Sequence, residues 1–182
     1  QQELDNMEES SLMLHLTNLV LKQALIGQNL ESVLFNLTRM LSMKLDGVRC
    51  NIVECYEEEK GVVVTSNDNR KASGIQLDLT KYPEILHVRK TEMMIAIENL
   101  GQDKHLGFIK KHIKDIYFNS IVVCPLFKDG DFFGVLSLKL PETKDYITDD
   151  ELRFIEIVSY AVSLTLSNQN HSINMNFWDQ AA

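Results

Sequence analysis

SIVVCPLFKDGDFFGVLSLKL, residues 120–140, holds two apolar runs, Ile121–Phe127 and Phe132–Leu140, on either side of Lys128-Asp129-Gly130-Asp131. Asp-Gly supplies the positive φ that a tight turn needs, so the two runs are expected to form adjacent antiparallel strands joined by a hairpin. A half-exposed strand alternates apolar and polar residues. Here Ile121, Val122, Val123, Cys124, Leu126 and Phe127 leave almost no polar face, which predicts a strand covered on both sides. Pro125 has no N–H for the ladder, so a bulge or local break is expected there. Gly134 removes a side chain where the second strand enters the layer, which suits a bend or the close approach of another backbone.

Outward from this hairpin, the flanks read as helices. Thr148-Asp149-Asp150-Glu151 is a capping box with acidic residues in the first turn, and the helix it opens is expected to run to about Asn168. Its apolar positions, from Leu152 through Val158 and Val162 to Leu166, cover more than one face. Such a helix is buried from two directions, by its own sheet and by a partner helix. At the other end, Leu12, Leu19, Ile26, Val33 and Met40 recur every seven residues, with Leu16, Leu30 and Leu37 on a second line. That is the spacing of an a/d seam. Gly27-Gln28-Asn29 interrupts it, with Asn29 as N-cap of a second helix, so helices are predicted over Glu9–Ile26 and Leu30–Leu45. The first helix either packs on its own domain or meets the same helix of a second subunit. The second packing is expected, because a helix entering from upstream has little of its own domain to lie on.

Between these ends, Val48–Tyr56 and Val62–Ser66 read as strands around the polar turn Glu57–Gly61, and Asn67–Gly74 as a loop. A short strand is expected at Ile75–Leu79, a short helix opened by Pro83 at Pro83–Lys90, a strand at Met93–Ile97 and an amphipathic helix at Lys104–Tyr117. The protein is α+β.

At 182 residues, 45% hydrophobic and 24% charged, the chain is of ordinary globular composition and one domain is the default. A formal charge of -8 argues against a nucleic-acid partner, which would require clustered Lys and Arg. No apolar run approaches the ~20 residues of a bilayer span, and QQELDNMEES lacks the basic-then-apolar pattern of a signal peptide. Three irregularly spaced cysteines suit reduced thiols in a cytoplasmic setting better than a disulfide framework.

Three groups of residues then carry a family resemblance. They are Leu30-Glu31-Ser32-Val33-Leu34 opening the second helix; Cys124-Pro125-Leu126 followed by Gly130 and Gly134-Val135-Leu136-Ser137-Leu138; and Tyr146-Ile147-Thr148-Asp149-Asp150-Glu151-Leu152. In order and spacing, over roughly residues 15–168, the chain resembles a GAF domain, the small-molecule sensory module of signalling proteins. The resemblance implies a GAF/PAS-like antiparallel sheet of about six strands, with the N- and C-terminal helices on one face and a loop-and-helix cap over a ligand cavity on the other. It further implies a cytoplasmic part of a larger signal-transduction protein, two-component systems among them. Residues 1–28 would be a signalling and dimerisation helix, 29–168 the sensory domain and 169–182 a tail or linker toward an output domain. A homodimer would form through Leu12, Leu16, Leu19, Ile26, Val158, Val162 and Leu166.

The chemistry of known members transfers poorly. The Asn-Lys-Phe-Asp-Glu signature of the phosphodiesterase members is missing, and no cysteine between Val62 and Ser120 could hold a bilin. The free-methionine-sulfoxide reductases of this fold need redox cysteines in loops over the pocket, whereas Cys124 lies inside a predicted strand. Cys50 and Cys55 point to opposite faces of theirs. His105 and His112 stand about two helical turns apart, ~10 Å, too far to share a metal ion. No Gly-x-Ser-x-Gly, Cys-His pair or glycine-rich phosphate loop is present.

The expectation is therefore a non-catalytic sensory domain with no metal site. It would hold an unidentified small molecule under the cap Tyr82–Arg89 and His105–Tyr117, lined by Asn51, Ile85, His105, Phe108, His112 and Cys124; no motif specifies a cofactor. The alternatives are a reductase of the free-methionine-sulfoxide type and a ligand-free dimerisation module.

Overall fold

The structure, a computed structural model, describes residues 2–25, 29–99, 118–141, 143–144 and 146–178. In chain order the elements are α1 (Gln2–Leu25), α2 (Leu30–Lys44), β1 (Arg49–Glu57), β2 (Lys60–Ser66), β3 (Gln76–Asp78), α3 (Pro83–Thr91), β4 (Ile95–Ile97), β5 (Phe118–Lys128), β6 (Asp131–Pro141) and α4 (Asp149–Trp178). The helix expected at Lys104–Tyr117 lies outside the described residues. Among those described, six strands form one antiparallel sheet in the order β3-β2-β1-β6-β5-β4.

The β5–β6 hairpin occupies the interior of this sheet, and alternation sends its side chains into two separate cores. Val122, Cys124, Leu126, Leu136, Leu138 and Leu140 join Cys50 and Ile52 beneath the helices. On the other face Ile121, Val123 and Val135 join Val53, Cys55, Leu79, Ile85 and Val88. Both faces are covered, as the missing polar face predicts. The turn has φ of 55° at Asp129 and 92° at Gly130, the pair of left-handed residues that matches strand twist in a two-residue hairpin. Gly134 is required for a different reason. A Cβ there would lie 2.0 Å from the Val53 carbonyl oxygen of β1.

The bulge is not at Pro125. Pro125 keeps regular register opposite Val135, and the register shifts one step later, between Leu126 and Phe127. There the Phe127 N–H turns to the Ser163 hydroxyl of α4, at 3.0 Å. Pro125 is tolerated because β4 is short: it begins at Ile95, opposite Val123, so among the described residues no strand pairs with that side of Pro125.

The helical layer contains α1, α2 and α4 together. Val20 of α1, Val33, Leu34, Leu37 and Leu41 of α2, and Phe154, Ile155, Val158, Ala161, Val162 and Leu166 of α4 share one core on one face of the sheet. Local chemistry holds the helix starts. Asn29 Oδ1 accepts the Ser32 N–H at 3.1 Å. At α4 the capping box is reciprocal, the Thr148 N–H donating to Glu151 Oε2 at 2.9 Å and the Glu151 N–H to Thr148 Oγ1 at 3.2 Å.

This layer revises the expected seam. Val158, Val162 and Leu166 are buried within their own subunit, and Leu16 packs partly buried against the same core. They are occupied by the intrasubunit contact, and the second cover predicted for α4 is its own α1 and α2. On α1 the inward line is Leu16, Val20 and Ala24, while Leu14, Leu21 and Leu25 are exposed and Leu19 sits at the margin, 37% exposed. Ile26 and the side chain of Leu12 lie outside the described residues. A seven-residue repeat marks the apolar face of a helix, but the same face serves an intrasubunit or an intersubunit contact.

Candidate functional site

On the face opposite the helices, β1, β2 and β6 floor a cavity of about 230 Å³. Its floor follows from register. Arg49 stands opposite Lys139 and Asn51 opposite Ser137 across β1–β6, while Asn51 stands opposite Ser66 across β1–β2. The same alternation that buries Leu136, Leu138 and Leu140 on one side turns Ser137 and Lys139 to the other. The walls are Asp68, Asn69 and Ala72 from the loop after β2, Ile75 and Leu77 around β3, and Tyr82, Glu84 and Ile85 at the start of α3. Val53 and Val63 complete the apolar part.

The loop after β2 is a strap over the sheet edge, tied on both sides. Asn67 Oδ1 accepts the Cys50 N–H at 2.6 Å, and Asn67 Nδ2 donates to Ser42 Oγ of α2 at 2.9 Å. The Arg70 guanidinium lies 3.9 Å from the centroid of the Phe35 ring, also on α2. One side of the strap therefore touches the helical layer while the other lines the cavity.

Charges inside the cavity are balanced in sign and uneven in satisfaction. Asp68 accepts from Arg49 Nε at 2.7 Å and from Ser66 Oγ at 2.5 Å. Burial works against ionisation of Asp68, but these bonds outweigh it and hold its carboxyl below the ordinary range. Glu84 is different. It is 4% exposed, its Oε2 has no hydrogen-bond partner among the described residues, and burial pushes its carboxyl up against the opposing pull of Lys139. Burial and the nearby Arg49 press the Lys139 ammonium down, with Glu84 and Asp68 acting the other way. Asn51 Oδ1 is likewise buried without a partner among the described residues. Buried acceptors of this kind are uncommon, because each forfeits its hydration.

Of the six expected lining residues, the structure brings Asn51 and Ile85 together in this cavity. His105, Phe108 and His112 lie outside the described residues. Cys124 is a correction: strand alternation turns it to the opposite face of the sheet, into the helical core. Sequence reasoning missed Arg49, Asp68, Glu84, Ser137 and Lys139. A usable signal existed in LSLKL, where Ser137 and Lys139 alternate with leucines that must be buried. Nothing in the sequence distinguished Glu84 from an ordinary first-turn acid.

The thiols do not form a reactive site. Cys50, Cys55 and Cys124 are all buried and free. Burial pushes the Cys124 thiol up to about 12 and the Cys55 thiol up to about 11, and raises Cys50 as well. Nucleophilic thiols need the opposite shift. Among the described residues no group of three or more His, Cys, Asp or Glu is placed to hold a metal ion, and no helix is long and apolar enough to cross a membrane.

The GAF domain family model matches residues 29–166, so the chain belongs to the GAF family. Among solved structures it is similar to the GAF domain of Acinetobacter phosphoenolpyruvate-protein phosphotransferase, with 16% identity, 90% of this chain and 97% of that one covered, and a TM-score of 0.69. The phycocyanobilin-bound GAF domain of a cyanobacterial phytochrome aligns at 14% identity over 88% and 96% of the two chains, TM-score 0.69. The reduced form of fRMsr of Staphylococcus aureus aligns at 15% identity over 85% and 95%, TM-score 0.67. No curated protein matches the sequence. At these identities the likeness of structure establishes the fold alone.

Proposed function

We propose that the chain is a non-catalytic sensory domain of a larger, cytoplasmic signal-transduction protein. It binds a small molecule in the cap-face cavity and relays occupancy through its helices to a second copy of itself. The observation that carries this reading is the cavity itself, with two buried acceptors, Glu84 Oε2 and Asn51 Oδ1, unmet by any group among the described residues. The relay has a material path in the strap. A ligand that draws on Asp68, Asn69 or Ala72 shifts a segment whose Asn67 and Arg70 are bonded to α2. The shift in population is bounded by the ligand's differential affinity for the two packings. The reductase alternative has less support, since all three cysteines are buried with raised thiol pKa values.

Ala72→Trp tests the reading by filling the cavity from the strap. In a thermal-shift screen of metabolites, at least one compound is expected to raise the melting temperature of the wild-type chain and to lose that effect in the variant. A screen with no shift, or a shift that Ala72→Trp leaves untouched, would remove the cavity from the mechanism.

A further inference from the structure

We infer that the ligand is a zwitterion of amino-acid size, its carboxylate set between Arg49 and Lys139 and its ammonium against Glu84 Oε2 and Asn51 Oδ1. The inference rests on the cavity being the ligand site and adds the class of molecule.

Three observations point to this class. Glu84 is 4% exposed and its Oε2, like the Oδ1 of Asn51, accepts no hydrogen bond among the described residues, so both acceptors call for a donor-bearing group. An ammonium supplies three donors and a positive charge, matching an acid and an amide oxygen at once. Second, Arg49 and Lys139 are opposite residues on adjacent strands, and after burial the nearby Arg49 is what lowers the Lys139 ammonium. An anionic group between them relieves that repulsion, and a carboxylate has the two oxygens to serve both. Third, Arg49 and Lys139 are balanced by Asp68 and Glu84, so the site favours a ligand without net charge whose two charges are separated. A purely anionic or purely cationic molecule would leave one end of the cavity worse off than before.

Size and lining narrow the class further. At about 230 Å³ the cavity is below the ~300–1,000 Å³ usual for drug-sized ligands. That excludes a tetrapyrrole or a dinucleotide and suits a molecule of a few carbons. The apolar wall around Ile85 accommodates an aliphatic substituent beyond the two charged groups.

The test is isothermal titration of the whole chain with L-leucine and with its two single-function counterparts, 3-methylbutylamine and 4-methylpentanoic acid. Thermal-shift measurements with nucleotides and dicarboxylates run in parallel. Binding is expected for L-leucine, and at least about tenfold weaker binding for each counterpart, the loss of one charge-assisted contact. Glu84→Gln is expected to weaken L-leucine by about tenfold or more as well. Its own melting temperature, not below that of the wild type, separates lost binding from lost fold. Equal binding of 4-methylpentanoic acid, or undiminished binding by Glu84→Gln, overturns the role given to the ammonium. A nucleotide or dicarboxylate that binds while L-leucine does not overturns the zwitterion but leaves the sensory reading standing. Absence of binding by every compound removes both.

Discussion

Glu84 is costly to the folded domain. Its raised carboxyl pKa comes first from burial, with Lys139 only partly opposing it. The folded state therefore holds the proton more tightly than the unfolded chain does, and stability falls as pH rises from the ordinary carboxylate range through the folded value. Glutamine has nearly the same shape and does not titrate. Glu84→Gln is expected to be more stable than the wild type at pH 7 by about 1 kcal/mol. That advantage should fade in acid below about pH 4, where glutamate is neutral in both states. Urea denaturation at the two pH values checks this, and a variant less stable at pH 7 would show that the carboxylate is satisfied after all. A residue that costs stability for the sake of the proposed ligand contact would be the usual trade between stability and function. It is also why the site was hard to read in advance. Asn51 and Ile85 were accessible from strand parity and the position of the cap, whereas the importance of Glu84 depends on what surrounds it, and an acid in a first helical turn is ordinary.

Elements were legible where their determinants are local. Asp129-Gly130 specifies its turn by two φ values, and Asn29 and the Thr148–Glu151 box specify their helix starts through bonds spanning three residues. The bulge in β5 is placed by Ser163, distant in sequence, and so it appears at Leu126–Phe127 rather than at the proline. The start of α4 gives a direct measure of such local chemistry. Burial opposes the ionised form of Glu151, but Lys144 at 2.7 Å and the Thr148 N–H outweigh it and keep its pKa below the ordinary value. Its contribution is therefore complete above the ordinary carboxylate pKa and is lost as pH falls through the lower, folded value. Glu151→Gln is expected to cost about 1 kcal/mol at pH 7. The gap between variant and wild type should close in acid, read as converging melting temperatures. A penalty that persists unchanged once the carboxyl is protonated would assign the loss to packing instead.

At the scale of the whole molecule, the sheet separates two kinds of chemistry: a dry core under the helices, and a smaller core beside a polar cavity under the cap. The apolar periodicity of α1 and α4 was legible, and of the residues it singled out, Leu16, Val158, Val162 and Leu166 belong to or pack against the core beneath the helices. Among the described residues, the apolar side chains open to a partner include an outward line on α1, where Leu14 is 72% and Leu25 79% exposed with Leu21 between them at helical spacing, and Tyr160 and Leu164 on α4. Exposed leucines in such a line are costly in water, and each gains roughly 1.5–3 kcal/mol when fully covered. We propose that this line, rather than Leu16, Val158, Val162 and Leu166, carries the homodimer. Replacing both Leu14 and Leu21 with Glu should then halve the mass seen by light scattering while leaving circular dichroism and melting of the subunit nearly unchanged, because neither side chain belongs to the core. Leu16→Glu should do the reverse, lowering the melting temperature through a charge forced into the core. A dimer mass that survives the double substitution would exclude the α1 line, and a wild-type chain that is monomeric throughout would leave the strap-to-α2 path acting within a single subunit.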